Sequence, residues 1–315
     1  MTAYILRRLL QSIVVVFGVT IIVFVILHLL PGGPARAMLG PAATLQQIHT
    51  FEVQNGYTHS LLVQYVSWIS QMLHGNLGFS YHFNQTVASL LAAALPKTFL
   101  LLGLAYLVAL IVGVPLGILQ AVRRNKPIDY ALTGFAFVGY SMPVFWLGIL
   151  LIIVLSVNFH IFPPEAPQGA TIGAVVSSPR ALVLPVITLA IINIAVFSRF
   201  VRSSALDNLV QDYIRTARAK GASTRGVIVR HLLRNSLIPV ITLLGLSLPA
   251  TISGAVITET IFNYQGMGLL FWTAATAHDF PVLLGFTVVV AVGTVIGTLL
   301  ADVLYAVADP RIRYS

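Results

Sequence analysis

The sequence predicts an all-α, polytopic membrane protein with six transmembrane helices and both termini in the cytoplasm. The first observation is composition: 57% of the 315 residues are hydrophobic and 9% are charged, whereas soluble domains carry about 25% charged residues. The second is that six runs without Asp, Glu, Lys or Arg are long enough to cross a bilayer core of about 30 Å. The third is that basic residues cluster after alternate runs.

The six predicted spans are uniformly apolar rather than alternating. A helix rises 1.5 Å per residue, so about 20 residues cross the bilayer, whereas barrel strands need about ten residues of alternating character. Uniform apolarity over such lengths therefore favours helices. The predicted spans cover residues 9–30, 98–122, 131–159, 181–198, 235–258 and 281–301.

The positions of the basic residues predict the orientation. Arg7 and Arg8 precede the first run, and short cytoplasmic loops are enriched in Lys and Arg, so the amino terminus is expected inside. Alternate loops should then be basic, and they contain Arg123, Arg124, Lys126, the cluster at 199–234, Arg311 and Arg313. The opposite face contains only Arg36, Lys97 and Arg180. The net charge of +9 is therefore interpreted as a topology signal in a lipid bilayer and not as a nucleic-acid-binding surface.

The chain divides into four predicted segments. Residues 1–30 form an amino-terminal helix, 31–96 an external segment, 97–308 a five-helix core with a cytoplasmic loop at 203–236, and 309–315 a cytoplasmic tail. The external segment has an apolar stripe at helical spacing, which predicts an amphipathic helix that either lies on the outer bilayer surface or packs against the bundle. Packing is the favoured alternative. The stripe consists of Leu61, Leu62, Tyr65, Val66, Trp68, Ile69, Met72 and Leu73.

Motifs for catalysis and nucleotide binding are absent from the sequence. The chain has no cysteine, which excludes disulfides and thiol chemistry. It has no phosphate-binding loop ending in Gly-Lys-Ser or Gly-Lys-Thr, no pair of histidines four apart with a glutamate, and no Gly-x-Ser-x-Gly elbow. No catalytic residue, metal site or cofactor site is therefore predicted in this chain, and energy for any transport must come from another subunit or an ion gradient.

A basic segment at 210–239 interrupts the apolar runs. Asp212 is predicted to cap a short helix that ends at Ala219, Gly221 to end it in a left-handed conformation, and Ser223 or Thr224 to start a second helix. Two short helices separated by a glycine break form a surface element to which a partner protein can bind. The alternative is a lipid anchor, because each basic residue beside anionic lipid contributes about 1 kcal/mol.

Polar and helix-bending residues inside the spans are candidates for a translocation pathway, and each has a structural alternative. Glu259 either faces a cavity or bonds backbone amides or Asn263, and the second is favoured because helix-end carboxylates are commonly structural. Asn193 either bonds across helices or lines the route. Pro143 and Pro249 are either bending points or sites of close packing. His28 is interpreted as a packed or interfacial residue.

Several motifs resemble those of one family of membrane proteins. TARAKGAS at 216–223 resembles the cytoplasmic "EAA" loop of ABC importer membrane subunits: Ala217 and Gly221 match its alanine and glycine, while Arg215 and Thr216 replace its glutamate and first alanine. The chain as a whole is similar to dipeptide and oligopeptide permease subunits. The supporting motifs are LPGGP at 30–34, HGNLGFS at 74–80, GYSMPVFW at 139–146, TETIFNYQGMG at 258–268 and DPRIR at 309–313.

The resemblance implies a type I ABC importer permease fold in a prokaryotic plasma membrane. It also implies four kinds of partner: a second homologous permease subunit, two ABC ATPase domains that bind ATP and Mg²⁺, an external solute-binding protein, and a peptide substrate. The residues that the resemblance assigns to ATPase coupling are Tyr213, Arg215, Thr216, Ala217, Arg218, Ala219, Lys220, Gly221, Ala222 and Ser223.

Other functions remain open from the residues alone. Relatives of this architecture carry nickel complexes, glutathione or sugars as well as peptides. A secondary transporter driven by protons or sodium would need mid-membrane acids or an unwound helix, and a membrane-embedded enzyme would need a catalytic group. The sequence displays none of these clearly.

Overall fold

The computed structural model describes residues 2–29, 33–40, 42–169 and 171–308. Within these ranges, side chains are described except at 2–9, 37 and 302–308. The predicted tail at 309–315, with Arg311 and Arg313, lies outside the described residues, and so do the side chains of Arg7 and Arg8.

The amino-terminal part is a long helix followed by short helices and a hairpin. Its elements are α1 (Thr2–His28), α2 (Gly33–Leu39), α3 (Leu45–Gln54), α4 (Leu61–Leu73), β1 (Phe79–Ser80) and β2 (Gln85–Thr86). The strands pair antiparallel, with Phe79 opposite Thr86. α4 coincides with the predicted apolar stripe. The rings of Tyr65 and Trp68 pack against Phe24 of α1, which agrees with the packing alternative, although other apolar side chains of α4 are exposed.

The first part of the core consists of two long helices with a bent helix pair between them in the sequence. Its first elements are α5 (Val87–Val122), α6 (Pro127–Ser141), α7 (Val144–Leu151) with a π-helical continuation (Ile152–Asn158), α8 (Ile172–Val176) and α9 (Pro179–Leu209). The remaining elements are α10 (Asp212–Ala219), α11 (Thr224–Gly226), a π-helical stretch (Val227–Leu232), α12 (Leu233–Ser236), α13 (Ile238–Ser253), α14 (Val256–Ile261), α15 (Met267–Thr276) and α16 (Phe280–Ala308).

Within the described residues, five helices are long and apolar enough to span a membrane, and a bent pair supplies a sixth span if its two helices are counted together. The five are Leu10–His28, Val87–Val122, Pro179–Leu209, Thr224–Ser253 and Phe280–Ala301. The predicted number of spans therefore agrees with the structure only when the bent pair counts as one.

The single continuous span predicted at 131–159 is wrong. α6 and α7 meet at an angle of 102°. Pro143 precedes α7, and its ring disfavours a helical conformation at Met142, whose ψ of 129° is extended. The run contains no charge, so charge content alone did not reveal the break.

Several predicted boundaries also differ from the structure. The fourth span continues to Leu209 and does not end at residue 198, and the fifth starts at Thr224 and not at residue 235. Two further differences have a clear local cause. α5 starts at Val87 and not at residue 98, because Thr86 caps it by accepting a hydrogen bond from the Ser89 amide. At 36 residues, α5 is about 54 Å long and extends beyond the hydrocarbon core. The fifth span ends at Ser253 and not at residue 258, because Gly254 adopts a φ of +83° that no helix continues through.

Small residues allow the core helices to approach closely. A Cβ on Gly117 of α5 would lie 2.5 Å from the carbonyl oxygen of Ser198 and 2.7 Å from the Val201 side chain on α9. α13 and α16 meet in the same way, since a Cβ on Gly297 would lie 3.1 Å from the Pro249 nitrogen. These contacts place backbone against backbone, as in many membrane helix pairs.

Candidate functional site

The predicted coupling loop, residues 203–236, contains the short helix α10. The prediction that Asp212 caps this helix is wrong, because the cap position is Gln211 and its side chain makes no capping bond. Asp212 is the first helical residue, where its negative charge still favours the helix amino terminus. It also lies 3.5 Å from Arg215, but both side chains are largely exposed.

The end of α10 agrees with the predicted stop at Gly221. This residue has a φ of +77°, its amide donates to the Arg218 carbonyl at 3.0 Å, and the next amide, that of Ala222, donates to the Ala217 carbonyl at 3.1 Å. The two bonds form a Schellman motif, which satisfies the last helical carbonyls. Ser223 then caps α11 by accepting a hydrogen bond from the Gly226 amide at 3.2 Å, in agreement with the predicted restart.

One face of α10 fixes it to the core while the other remains exposed. Ile214 and Ala217 are buried in a cluster with Ala205 of α9 and with Val227 and Leu232 of the following π-helical stretch. A Cβ on Gly221 would meet nothing within 4 Å. The remaining predicted coupling residues are exposed: Tyr213, Arg215, Thr216, Arg218, Ala219, Lys220, Ala222 and Ser223. The segment at 212–223 is therefore packed against the core on one side and presents a polar, basic surface on the other.

Glu259 lies in a buried polar cluster between α5, α14 and α15. It is 0% exposed. Its Oε1 accepts hydrogen bonds from Thr98 Oγ1 at 2.9 Å and from the Ala255 amide at 3.1 Å. Its Oε2 accepts from the amides of Gly268 at 2.7 Å and Leu269 at 3.1 Å. Three of the four donors are backbone amides, which agrees with the structural alternative; the fourth is Thr98, and Asn263 is not among them.

The other pathway candidates are not brought together around one cavity. Asn193 donates its amide to the Leu189 carbonyl of its own helix at 2.8 Å, so the expected bond across helices is not formed. Pro143 lies at the bend before α7, as the bending-point alternative expects. α13 continues past Pro249, which packs closely against Gly297. At Pro249 the geometry agrees with close packing.

An ion pair near the coupling loop was not predicted. Arg202 of α9 donates from Nε to Asp129 Oδ1 at 2.8 Å and from Nη2 to Oδ2 at 2.9 Å. Asp129 on α6 is 1% exposed and also accepts the Asn125 amide at 3.0 Å. The sequence did contain one signal for Asp129, because an acid in the first turn of a helix that begins with proline is a typical helix-start feature. Nothing in the sequence identified Arg202 as its partner.

A buried lysine was also missed as a site residue. Lys97 is 3% exposed, and its Nζ donates to Gln265 Oε1 at 3.3 Å. Gln265 in turn donates to Gln168 at 3.1 Å. Lys97 entered the sequence analysis only as a residue of the external face, although it directly precedes the predicted span at 98–122 and ionisable residues in such segments commonly bind a polar partner.

Comparison with known families covers nearly the whole chain. Residues 113–314 match the family described as the binding-protein-dependent transport system inner membrane component, and residues 1–102 match the family describing the amino-terminal part of such membrane components.

Among curated proteins, the chain is 42% identical over 316 residues to the oligopeptide transport system permease protein AppB of Bacillus subtilis, with 100% of both chains covered. It is 34% identical over 338 residues to the dipeptide transport system permease protein DppB of Escherichia coli K12, again with 100% of both covered. It is 38% identical over 320 residues to the probable D,D-dipeptide permease protein DdpB of the same organism, covering 95% of this chain and 94% of DdpB.

Among solved structures, the fold is similar to a chain of the inward-facing MetNI methionine ABC transporter. The TM-score is 0.53 at 16% identity, and the match covers 70% of this chain and 96% of that chain. A chain of an amino acid ABC transporter crystallised with histidines matches with a TM-score of 0.50 at 16% identity, covering 71% and 94%. The architecture is thus that of a type I ABC importer permease.

Proposed function

The chain belongs to the family of binding-protein-dependent transport system inner membrane components, and we propose that it is the pore-forming permease subunit of an ATP-driven importer of dipeptides and oligopeptides. Membership makes it a multi-pass permease of the bacterial inner membrane and not itself an enzyme. The peptide substrate is inferred from full-length relatives named as oligopeptide and dipeptide permeases.

The observation that carries the proposal is the open turn at Gly221. Two backbone hydrogen bonds close the turn, and Ile214 and Ala217 pack it against the core. None of the residues that the structure describes lies within 4 Å of a Cβ built on Gly221. A rigid exposed element suits docking into a groove, because little conformational entropy is lost on binding. Tyr213 and residues 215–223 are therefore proposed to contact an ATPase subunit.

The contacts around this turn suggest how ATPase movement reaches the membrane. α10 packs on the cytoplasmic end of α9 through Ala205 and on the start of the next span through Val227 and Leu232. α9 then runs as one helix over 31 residues and packs along α5. Displacement of the docked turn would tilt α9 as a rigid rod. Arg202 would transmit the same movement to α6 through Asp129.

The remaining partners belong to the same proposal. A binding-protein-dependent system requires an external solute-binding protein and an ATPase in general. We extend this to a heterodimer with a second homologous permease and to two ABC ATPase domains, which would bind ATP and Mg²⁺. Large apolar side chains on α6 and α7, including Phe135, Tyr140 and Trp146, are exposed in the single chain and are available for lipid or for the second permease.

The candidate pathway residues receive different roles in this proposal. Pro143 is proposed as a point about which α6 and α7 change their angle, because the break already interrupts the helical hydrogen bonds there. Asn193 is half-buried and can still line a route with the amide oxygen. Glu259 and Pro249 are proposed to hold the walls of the route in place rather than to contact the peptide, since both are held by intramolecular contacts.

A test of this function is import into proteoliposomes. The chain would be reconstituted with its partner permease, ATPase subunits and peptide-loaded binding protein. We expect accumulation of labelled peptide that requires ATP and survives collapse of proton and sodium gradients. Loss of import on collapse of the gradients, with ATP present, would identify a secondary transporter instead. Import of a nickel complex, glutathione or a sugar in preference to peptides would retain the mechanism and replace the substrate.

A further inference from the structure

His28 ends α1 and contacts two oxygen atoms through its two ring nitrogens. Its Nδ1 lies 2.7 Å from the Phe24 carbonyl oxygen of the preceding turn. Its Nε2 lies 3.1 Å from Oε1 of Gln64 on α4. The Phe24 carbonyl can only accept a hydrogen bond, so Nδ1 must carry a proton. The state of Nε2 then depends on which atom of the Gln64 amide faces it.

The orientation of the Gln64 amide is determined by its other contacts. Its Nε2 donates to the carbonyl oxygens of Tyr57 at 3.0 Å and His59 at 2.7 Å. A flipped amide would place its oxygen against both carbonyls, which is unfavourable because none of the three atoms carries a proton. The atom facing His28 is therefore an oxygen, which again can only accept.

Two acceptors on one imidazole require two protons. A neutral imidazole has one N–H, so the lone pair on its other nitrogen would face a lone pair of the second acceptor oxygen. Imidazolium donates a hydrogen bond from both nitrogens. We propose that His28 is a cation in this structure and that its second proton fastens the turn at 57–59 and α4 to the end of α1, so that this junction loosens when the proton is lost. The position of His28 in the last turn of α1 supports the charge, because helix carboxyl ends favour cations.

No carboxylate holds this charge within the described residues. Tyr57 faces His28 from the turn, with ring centroids 6.5 Å apart, and burial raises the pKa of its phenol. Tyr65 of α4 shares a hydrogen bond with Thr20. His59 contributes its carbonyl to Gln64. Of the charged side chains on the neighbouring elements, Arg36 on α2 is exposed and Glu52 on α3 is partly exposed, and neither is paired with His28. Asp279 before α16 accepts a hydrogen bond from Ser80.

The two hydrogen bonds at His28 make the junction responsive to pH. The bonded form is the protonated one, so the junction is complete at low pH and loses one hydrogen bond as pH rises. The junction forms a wall of a cavity of about 570 Å³ whose lining includes Phe24, His28, Tyr57, Gln64, Trp68 and Phe280. Loosening α4 would open this cavity.

Hydrogen–deuterium exchange of the assembled transporter in nanodiscs tests the inference. Amides at 57–73 would be followed from pH 5.5 to 8.5 and corrected for the intrinsic pH dependence of exchange. We expect corrected exchange there to rise about ten-fold or more across this range, because hydrogen bonds to charged groups are the stronger ones. Amides of α5 should not show the rise. A flat corrected profile at 57–73 would overturn the proposal.

The variants His28→Gln and His74→Gln form a matched pair. His74 directly follows α4, and its Nδ1 lies 2.7 Å from the Ser70 carbonyl oxygen. This contact matches that of His28 with Phe24, but His74 has no side-chain amide oxygen at its other ring nitrogen among the described contacts. His28→Gln should abolish the pH-dependent rise, whereas His74→Gln should retain it. An unchanged rise in His28→Gln would contradict the proposal. If His28→Gln does not assemble, His74→Gln still tests the proposal. Loss of the pH-dependent rise in exchange in His74→Gln would contradict the assignment of this rise to His28.

Discussion

Arg202 and Asp129 form a two-point ion pair that joins α9 to the start of α6, with N to O distances of 2.8 and 2.9 Å. Asp129 is buried, while the Arg202 side chain retains 29% exposure. Because both ends of the carboxylate are bound, the pair fixes the angle between the two elements as well as their distance. It lies towards the carboxyl end of α9, immediately before the predicted coupling loop.

Removal of Arg202 should destabilise the chain. Arg202→Ala leaves a buried carboxylate without its cation, which we expect to cost about 2 kcal/mol, less than for a fully buried pair because Arg202 is partly solvated. The midpoint of thermal unfolding in detergent should fall by about 4–8 °C. Arg215→Ala is the matched control, because its pair with Asp212 is exposed and 3.5 Å long. A fall of equal size in the two variants would contradict the assigned role of the buried pair.

Substitution of Gly221 should uncouple the ATPase. Gly221→Val places a β-branched residue at a φ of +77°, which costs about 1–3 kcal/mol and distorts the turn. The spans should still insert, so we expect a normal membrane level of the chain but little ATPase in copurification and little import. Gly221→Asn is the control, since asparagine tolerates this conformation. Normal ATPase recovery and import by the valine variant would favour a lipid anchor.

Substitution of Glu259 should lower the stability of the chain more than it alters the kinetics of transport. In Glu259→Gln, one carboxylate oxygen becomes an amide group that faces donors, so at least one buried donor loses its acceptor at a cost of about 1–3 kcal/mol. We expect a lower unfolding midpoint and a lower yield of assembled transporter. Thr98→Ser, which retains the hydroxyl that donates to Oε1 of Glu259 and accepts from the Met267 amide, should have a smaller effect. Normal stability with altered peptide import would instead place Glu259 on the route.

Replacement of two glycines of α5 by alanine should have different effects on the midpoint of thermal unfolding. A Cβ at position 117 would lie 2.5 Å from the Ser198 carbonyl oxygen, whereas one at position 103 would meet nothing within 4 Å. Gly117→Ala must separate α5 from α9 and should lower the unfolding midpoint. Gly103→Ala should leave it unchanged or raise it, because alanine favours a helix by up to about 1 kcal/mol over glycine. Equal effects would argue against the close contact of α5 and α9.

Single cysteines should test the orientation. The chain has no native cysteine, so Thr224→Cys and Glu165→Cys each introduce one exposed thiol. Position 165 is preferable to the neighbouring Gln168, which bonds two carbonyls. Because basic loops remain in the cytoplasm, a membrane-impermeant thiol reagent should label intact cells at 165 and should label 224 only after permeabilisation. External labelling at 224 would reject the predicted topology.

Local features of the chain could be predicted from the sequence because they depend on nearby residues. Long apolar runs identify spanning helices because an unpaired backbone group in lipid is costly, whatever the neighbouring helices are. The stop at Gly221 and the restart at Ser223 were predictable for a similar reason, since left-handed backbone and side-chain capping involve only a few consecutive positions. The helix over 61–73 followed from the spacing of its apolar residues.

Contacts between distant residues were decided only by the tertiary structure. Asp129 and Arg202 are 73 positions apart, and their sequence neighbourhoods do not show which acid meets which base. The carboxylate of Glu259 was recognised, but its donors come from α5 and α15, whose approach depends on how the helices pack. Pro143 and Pro249 both allow a break, yet the helix breaks at Pro143 and continues through Pro249, where Gly297 of α16 packs against it. Local chemistry thus determined which elements form, and packing determined which polar groups meet.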